Sequence, residues 1–376
     1  MKYNFDEVID RSHNRAAKYD ERMKKFGRED VIPLWVADMD FRTAEPIIDA
    51  LKERAEEGIW GYTSRPDSYF EAIRGWQKRR NGWDIKKEMM SWSLGVVPAL
   101  SSIVKLFSEP GDSIMIQTPV YSEFYDVTEA WGRNVLENRL VEKDGAWGID
   151  FEDFEAKAKE ARIFLLCSPH NPLGIVWSRE ELTRMADICM ANNTLLVSDE
   201  IHSDLVFHGK KHIPTATLSA ETAGRVISCI SGTKTFNLAG WSTANIIIPN
   251  DTLRRRFRAK TDGYTGGYTG YFGLTATRTA YEKGEAWLDA LLVHLEGNFR
   301  LCREFLAQRF PSVWVAPWEG TYLLWADFSC LGLTPEEQER FMRDEAGLFL
   351  DEGYIFGREG AGFERMVLAC PRLQLE

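Results

Sequence analysis

Four apolar runs in the middle of the chain are each followed, within a few residues, by a side chain of a different chemical type. In chain order these are the ring of Tyr121, the amide of Asn171, the carboxylate of Asp199 and the amine of Lys234. Taken alone, an acid near a lysine is usually an ordinary ion pair, and Asn-Pro is a common turn. Taken together, an amine nucleophile, a carboxylate that can keep a ring nitrogen protonated, an amide donor and a stacking ring are what a pyridoxal-phosphate site requires.

The apolar runs themselves indicate how these groups would be positioned. The runs lie at 113–117, 163–167, 194–198, 226–230 and 245–248. They are continuous rather than alternating, which is typical of strands in a parallel sheet covered by helices on both faces. Amphipathic stretches separate them; in 178–190, Ser178 followed by Glu181 predicts a helix that begins with a capping box. The pattern predicts a doubly wound α/β domain, in which ligands bind beyond the carboxyl ends of the strands.

The sequence pattern changes near Trp287. Apolar residues keep helical spacing from Trp287 to Leu306, which predicts one long helix. Short strand candidates at 313–315, 322–326 and 366–369 follow, with a helix candidate at 335–343 between them. We therefore expect a large PLP-binding domain over 51–285. A smaller α+β domain would be built from 1–50 together with 286–376.

Composition excludes several classes of function. The chain has 376 residues, 46 of them Lys or Arg and 57 Asp or Glu, so its formal net charge is −11. Such an acidic chain is not expected to bind nucleic acid or an anionic membrane. No run reaches the ~18 apolar residues of a membrane span, and no signal segment is recognisable at the start. The six scattered cysteines predict neither a disulfide framework nor a metal site, and they favour the cytoplasm.

Several motifs carry a resemblance to a known family. Ser-Pro-His-Asn-Pro-Leu-Gly at 168–174, Ser-Asp-Glu-Ile-His at 198–202 and Ser-Gly-Thr-Lys-Thr-Phe-Asn-Leu-Ala-Gly at 231–240 resemble the class I/II aminotransferase superfamily, fold type I. The separations of 28 positions from Asn171 to Asp199 and of 35 from Asp199 to Lys234 are similar to that family as well. The resemblance extends over nearly the whole chain. Three further segments are similar to the cystathionine β-lyase, or C–S lyase, branch: 34–41, 61–68 and 95–100.

The resemblance implies a role for each of the four residues. Lys234 would carry the cofactor aldehyde and, once the substrate amine displaces it, would remove the Cα proton. Asp199 would pair with the pyridine nitrogen, so that the ring can accept the electrons of the carbanion. Asn171 would donate to the ring hydroxyl oxygen. Tyr121 would stack on the ring face.

The cofactor phosphate needs hydrogen-bond donors. Gly95, Val96 and Val97 precede a helix candidate, and the N–H groups at a helix N-terminus bind anions readily. The resemblance adds the hydroxyl of Ser231. It also adds Tyr62, which would reach the phosphate from a neighbouring subunit, so that a homodimer with shared active sites is expected.

Arg365 is the residue that the resemblance assigns to the substrate α-carboxylate, through a two-point fork. The chain departs from the usual aminotransferase pattern at three places. His202, counted here among the cofactor-binding residues, stands where aminotransferases carry Tyr, and Ser242 stands where they often carry Arg; both changes are similar to the C–S lyase branch. The third departure is Arg365-Met-Val367, where the family usually has Arg-x-Asn.

The resemblance implies β-elimination on an S-substituted L-cysteine such as L-cystathionine, which yields a thiol, pyruvate and ammonia. Lys234 or Tyr121 would protonate the departing thiolate. The alternative is an aminotransferase acting on an L-amino acid and a 2-oxo acid. A hypothesis of another class is a regulator that binds the cofactor without turnover; the intact Lys234 and Arg365 argue against it. No metal is expected.

Overall fold

A computed structural model describes residues 3–143, 145–265 and 270–376. Within these ranges the strands are β1 Ile32–Pro33, β2 Met90–Ser93, β3 Ser113–Thr118, β4 Asn134–Lys143, β5 Ala146–Ile149, β6 Ala161–Cys167, β7 Leu195–Asp199, β8 Val226–Ile230, β9 Ala244–Ile247, β10 Trp314–Val315, β11 Leu323–Asp327, β12 Leu348–Phe349, β13 Asp351–Glu352 and β14 Phe363–Val367. The helices are α1 Ala17–Asp20, α2 Arg22–Phe26, α3 Glu45–Glu56, α4 Asp67–Asn81, α5 Val96–Phe107, α6 Glu123–Glu129, α7 Phe151–Ala158, α8 Arg179–Ala191, α9 Ala220–Ala223, α10 Asp251–Thr265, α11 Tyr271–Lys283, α12 Glu285–Arg309, α13 Pro335–Arg340 and α14 Arg372–Leu375.

The largest sheet has eight strands in the order β2-β9-β8-β7-β6-β3-β4-β5. Its five central strands, β8, β7, β6, β3 and β4, run parallel to one another. Helices cover both faces, and every residue of β8 is buried. The predicted α/β architecture with a mostly parallel sheet is confirmed.

One strand assignment needs correction. The run at 245–248 was counted with the parallel strands, but β9 pairs antiparallel with β8 and with β2. The segment between β8 and β9 holds only a single short 3-10 turn, Ala239–Trp241, and no crossover helix. A parallel partner needs a crossover of about a dozen residues, usually through a helix, so the chain instead turns back and β9 runs antiparallel between β8 and β2.

The predicted capping box is confirmed at the start of α8. The backbone N–H of Glu181 donates to Ser178 Oγ over 3.2 Å, and the Glu181 carboxylate accepts from the Ser178 backbone N–H over 2.8 Å. Leu182, Met185 and Cys189 then face the core. This helix covers one face of the large sheet and buries the strands that carry the candidate site.

The second sheet has four antiparallel strands in the order β10-β11-β14-β13, and the long helix predicted from Trp287 is α12. The helix predicted over 335–343 is α13 followed by one π-helical turn, Phe341–Glu345. β1 pairs with β12, so the N-terminal segment contacts this part of the chain. The domain boundaries near 50 and 286 stay a prediction. Among the described residues, no helix is both long and apolar enough to cross a membrane.

Candidate active site

A cavity of about 510 Å³ lies at the carboxyl ends of β3, β6, β7 and β8. Nine of the eleven residues predicted for the site line it: Gly95, Val96, Val97, Tyr121, Asn171, Asp199, His202, Lys234 and Arg365. Residues up to 270 positions apart in the sequence, Gly95 and Arg365, therefore meet in one place. The large sheet supplies most of them, and β14 of the smaller sheet supplies Arg365.

Lys234 follows β8 and reaches into this cavity. Its Nζ donates to the carbonyl oxygen of Ala37 over 2.6 Å, which ties the N-terminal segment to the site. Burial, reinforced by the charge of Arg365, lowers the pKa of Lys234 from 10.5 to about 8. A larger share of this amine is therefore neutral, and able to act as a nucleophile, near neutral pH.

Asp199 is the last residue of β7 and is buried. Its Oδ1 accepts the backbone N–H of Ile201 over 3.1 Å. Burial raises the pKa of Asp199 to about 7, and Lys234 opposes this rise. A carboxyl group held in this way is stabilised as an anion when a cationic group enters the cavity beside it.

Arg365 lies on β14, directly opposite Asp351 in the antiparallel register of β13 and β14. Its Nη1 donates to Asn171 Oδ1 over 3.2 Å, and its Nη2 donates to the carbonyl oxygen of Trp35 over 3.0 Å and to Asp351 Oδ2. Its Nε is buried, and no described residue accepts a hydrogen bond from it. The guanidinium is thus held in place by three of its five N–H donors, and its Nε–H and the second Nη1–H are left for a ligand.

Tyr121 and His202 add aromatic rings to the cavity wall. The backbone N–H of Tyr121 donates to the carbonyl oxygen of Asn171 over 3.1 Å, which joins two of the strand ends. Burial lowers the pKa of His202 well below 6.5, and the charges of Lys234 and Arg365 lower it further, so the imidazole is neutral. The ring of His202 lies edge-on to Tyr322, with 5.8 Å between ring centroids.

The loop before α5 supplies backbone donors at one end of the cavity. Gly95 precedes the helix with φ of 144°, a backbone conformation that favours glycine, and a Cβ there would lie 3.3 Å from Pro98 Cδ. Val96 and Val97 form the first turn of α5, whose N–H groups have no partner within the helix. An anion placed here meets the positive end of the helix dipole.

Two predicted residues lie outside the cavity lining. Ser231 is buried, and its Oγ donates to the carbonyl oxygen of Thr243 over 2.6 Å; Thr233 and Thr243 line the cavity instead. Tyr62 is 88 % exposed on the single chain and does not line the cavity.

Several residues that line the cavity were not predicted from the sequence. Trp35 and Ala37 lie in the segment 34–41, whose similarity to the C–S lyase branch was a usable signal. Lys25, at the end of α2, and Asp351, on the two-residue strand β13, carried no signal, because neither belongs to a motif and neither follows a strand of the large sheet.

Buried hydrogen bonds support the loop that carries Lys234. The Oγ1 of Thr235 and the Nε1 of Trp76 each donate to the carboxylate of Asp204 over 2.9 Å. The Nδ2 of Asn237 donates to the carbonyl oxygens of Met39 and Phe41 over 2.8 and 2.9 Å. These contacts fix the backbone on the C-terminal side of the lysine.

Comparisons with known proteins identify the family of the chain. The model of the family "Aminotransferase class I and II" matches residues 29–375. The curated cystathionine beta-lyase PatB of Bacillus subtilis is 42% identical over 99% of this chain and 97% of its own length. Cystalysin of Treponema denticola, whose structure contains pyridoxal 5'-phosphate, is 36% identical with a TM-score of 0.97, covering 100% of this chain and 96% of its own. The PLP-bound C–S lyase of Staphylococcus hominis is 33% identical with a TM-score of 0.92, covering 99% and 95%. The chain belongs to the class I and II aminotransferase family.

Proposed function

We propose that this protein is a pyridoxal-phosphate-dependent C–S β-lyase. It cleaves L-cystathionine or another S-substituted L-cysteine to a thiol, pyruvate and ammonia. The single observation that carries the proposal is the meeting of a half-buried lysine amine of lowered pKa, a buried carboxylate and a buried, hydrogen-bonded arginine in one cavity. The lyase names of PatB and of the Staphylococcus hominis protein support this reaction over amino-group transfer.

The residues present fit pyridoxal phosphate. Lys234 would hold its aldehyde carbon, and Asp199 would pair with its ring nitrogen. Asn171 and Tyr121 line the same cavity and would supply the amide donor and the stacking ring. The space at Gly95, which a Cβ would fill, leaves room for a phosphate beside the first turn of α5.

Different side chains of the cavity would carry out the separate steps of the reaction. Pyridoxal phosphate supplies an electron sink for the negative charge that develops at Cα. Arg365 holds the substrate α-carboxylate and thereby orients the Cα–H bond toward Lys234. The neutral amine of Lys234 removes the Cα proton, and Lys234 or the hydroxyl of Tyr121 gives a proton to the leaving thiolate. Asp199, whose pKa burial raises to about 7, would be held as an anion by the protonated ring nitrogen.

We propose further that the protein works as a cytoplasmic homodimer in which Tyr62 completes the partner's site. Support comes from an exposed apolar segment: Ile59, Trp60 and Tyr62 are 82, 60 and 88 % exposed. Large exposed apolar groups in one place are typical of an interface between chains. All six cysteines lie in the described part of the chain and are free thiols, as is usual in a reducing compartment.

The test is turnover without a keto acid. The purified holoenzyme is incubated with L-cystathionine, and thiol and pyruvate are measured. We expect both products, and we expect Lys234→Ala to lose them while the exposed-lysine control Lys211→Ala keeps them. If product forms only when a 2-oxo acid is added, and an amino acid accumulates, the protein is an aminotransferase. If the cofactor binds but no cysteine conjugate reacts, the lyase proposal is wrong.

A further inference from the structure

A second cavity, of about 250 Å³, opens at the opposite edge of the eight-stranded sheet from the candidate active site. Arg162 is the second residue of β6, and Arg225 immediately precedes β8. Both therefore lie at the amino ends of parallel strands, whereas Lys234 and Asp199 lie at carboxyl ends. Arg256, on α10, completes the set. Three separate elements of the fold thus direct an arginine to one place.

The lining of this cavity carries positive charge without a compensating carboxylate. No acidic residue is among the described residues that line it, although the chain as a whole has a net charge of −11. None of the three arginines forms an ion pair in the described part of the chain. Their neighbours on α10 behave differently, since Arg254 and Arg255 both pair with Asp251. The charge of the three arginines is left for a ligand.

Neutral groups hold the three guanidinium groups in position. Arg162 Nε donates to the carbonyl oxygen of Phe107 over 3.1 Å, and Arg225 Nη1 donates to Asn193 Oδ1 over 2.8 Å. Arg256 donates to the carbonyl oxygen of Leu106, and its Cζ lies 4.8 Å from the centre of the Phe107 ring. Each of these hydrogen bonds uses one of the five N–H donors of its arginine, so most of the donors remain available to a ligand. The contacts orient the arginines without neutralising them.

We propose that this cavity binds a phosphate group. A guanidinium presents parallel N–H donors that match two oxygens of a phosphate, and three of them can surround a tetrahedral dianion. Thr194 and Asn250, also in the lining, offer neutral hydrogen-bonding groups. The bound group is either free inorganic phosphate or pyrophosphate, or the phosphate of a small metabolite. Binding would link β6, β8 and α10 and would stabilise the folded chain.

The test uses the holoenzyme, in which the cofactor already fills the active site. Calorimetric titration at constant ionic strength is carried out with inorganic phosphate, pyrophosphate and adenosine monophosphate in separate experiments. We expect saturable binding of at least one of them. Arg225→Gln and Arg256→Gln should each weaken it about tenfold or more, because each removes charge-assisted hydrogen bonds. Arg309→Gln, an exposed arginine on α12, is the matched control and should bind as the parent does.

The relative affinities identify the source of the phosphate. Tighter binding of the nucleotide than of inorganic phosphate assigns the site to a metabolite, and equal or weaker binding assigns it to the free anion. Cofactor absorbance and the thermal unfolding midpoint show that each variant is folded and loaded. Lack of saturation with all three probes, or equal affinity in the parent, Arg225→Gln and Arg256→Gln, would overturn the proposal. Neither lack of saturation nor equal affinity would count against the proposed lyase activity, which is measured in a separate assay.

Discussion

Asp351→Asn tests how Arg365 binds the α-carboxylate of the substrate. A carboxylate can bind a guanidinium with two oxygens along the edge formed by Nη1 and Nη2, or along the edge formed by Nε and Nη2. Both edges include Nη2, and on Arg365 the two Nη2 hydrogens go to the carbonyl of Trp35 and to Asp351. The substrate α-carboxylate must therefore displace either Asp351 or the carbonyl oxygen of Trp35 before Arg365 can bind it at two points. The side chain of Asp351 can rotate away and a backbone carbonyl cannot, so we expect Asp351 to be the group displaced.

The size of the effect follows from what Asp351 contributes. A hydrogen bond to a charged group is worth roughly 1.5–3 kcal/mol, so removing this competitor should strengthen carboxylate binding about ten- to a hundredfold. The substrate-free variant should be less stable, because breaking a buried ion pair by removing one partner costs roughly 3–5 kcal/mol. Asn still accepts a hydrogen bond from Arg365, so we expect a loss at or below the lower end of that range.

The assay compares KM for L-cystathionine with the inhibition constant of 3-(methylthio)propionate, a thioether carboxylate that lacks the α-amine and so cannot react with the cofactor. Both constants should fall in Asp351→Asn. The inhibitor should also raise the thermal unfolding midpoint of the variant more than that of the parent. Glu352→Gln is the matched control, because it changes the carboxylate that follows Asp351 on β13. Glu352 lies opposite Glu364 in the strand register and points to the other face of the strand. If neither constant falls in Asp351→Asn, Asp351 does not compete with the substrate α-carboxylate for Arg365.

Two further predictions concern the support of Lys234. Because the pKa of this lysine falls from 10.5 to about 8 on folding, the unfolded chain binds more protons than the folded chain between these pH values, and stability should rise with pH there. In the cofactor-free protein, Lys234→Met should therefore unfold at higher urea concentration than the parent at pH 7, with a smaller difference at pH 10; a pH-independent difference would contradict the lowered pKa. Thr235→Val removes one of two donors to the buried carboxylate of Asp204 and should cost about 1–3 kcal/mol of unfolding free energy in denaturant titrations. Thr235→Ser keeps the hydroxyl and should cost clearly less; equal losses would point to packing rather than the hydrogen bond.

Local patterns were sufficient for five strands of the large sheet, β3, β6, β7, β8 and β9, and for the residues that follow the first four of them. They did not predict β2, β4 or β5. Continuous apolar runs are read directly from the chain, and the carboxyl ends of parallel strands meet at one edge whatever the details of packing. Tyr121, Asn171, Asp199 and Lys234 could therefore be placed in one site before the structure was known. The capping box at Ser178 is also local, since its donors and acceptors lie three residues apart.

The sequence did not predict the direction of β9 or the surroundings of Arg365. An apolar run of four residues has the same pattern in a parallel and in an antiparallel pair, so only the path of the connection decides the direction of β9. Asp351 contacts Arg365 because the register of two short strands puts them opposite each other, and β13 is too short to leave a periodic pattern.

By itself, the sequence determined the α/β class, five of the eight strands of the large sheet, the family and the chemical types gathered at one edge. The tertiary structure alone decided which partners those groups have, such as the Ala37 carbonyl at Lys234 and Asp351 at Arg365. It alone also brought three arginines together at the opposite edge. The physical reason is that hydrophobic periodicity is a local property of the chain. Hydrogen bonds and ion pairs between distant segments depend on register, burial and the path of the loops.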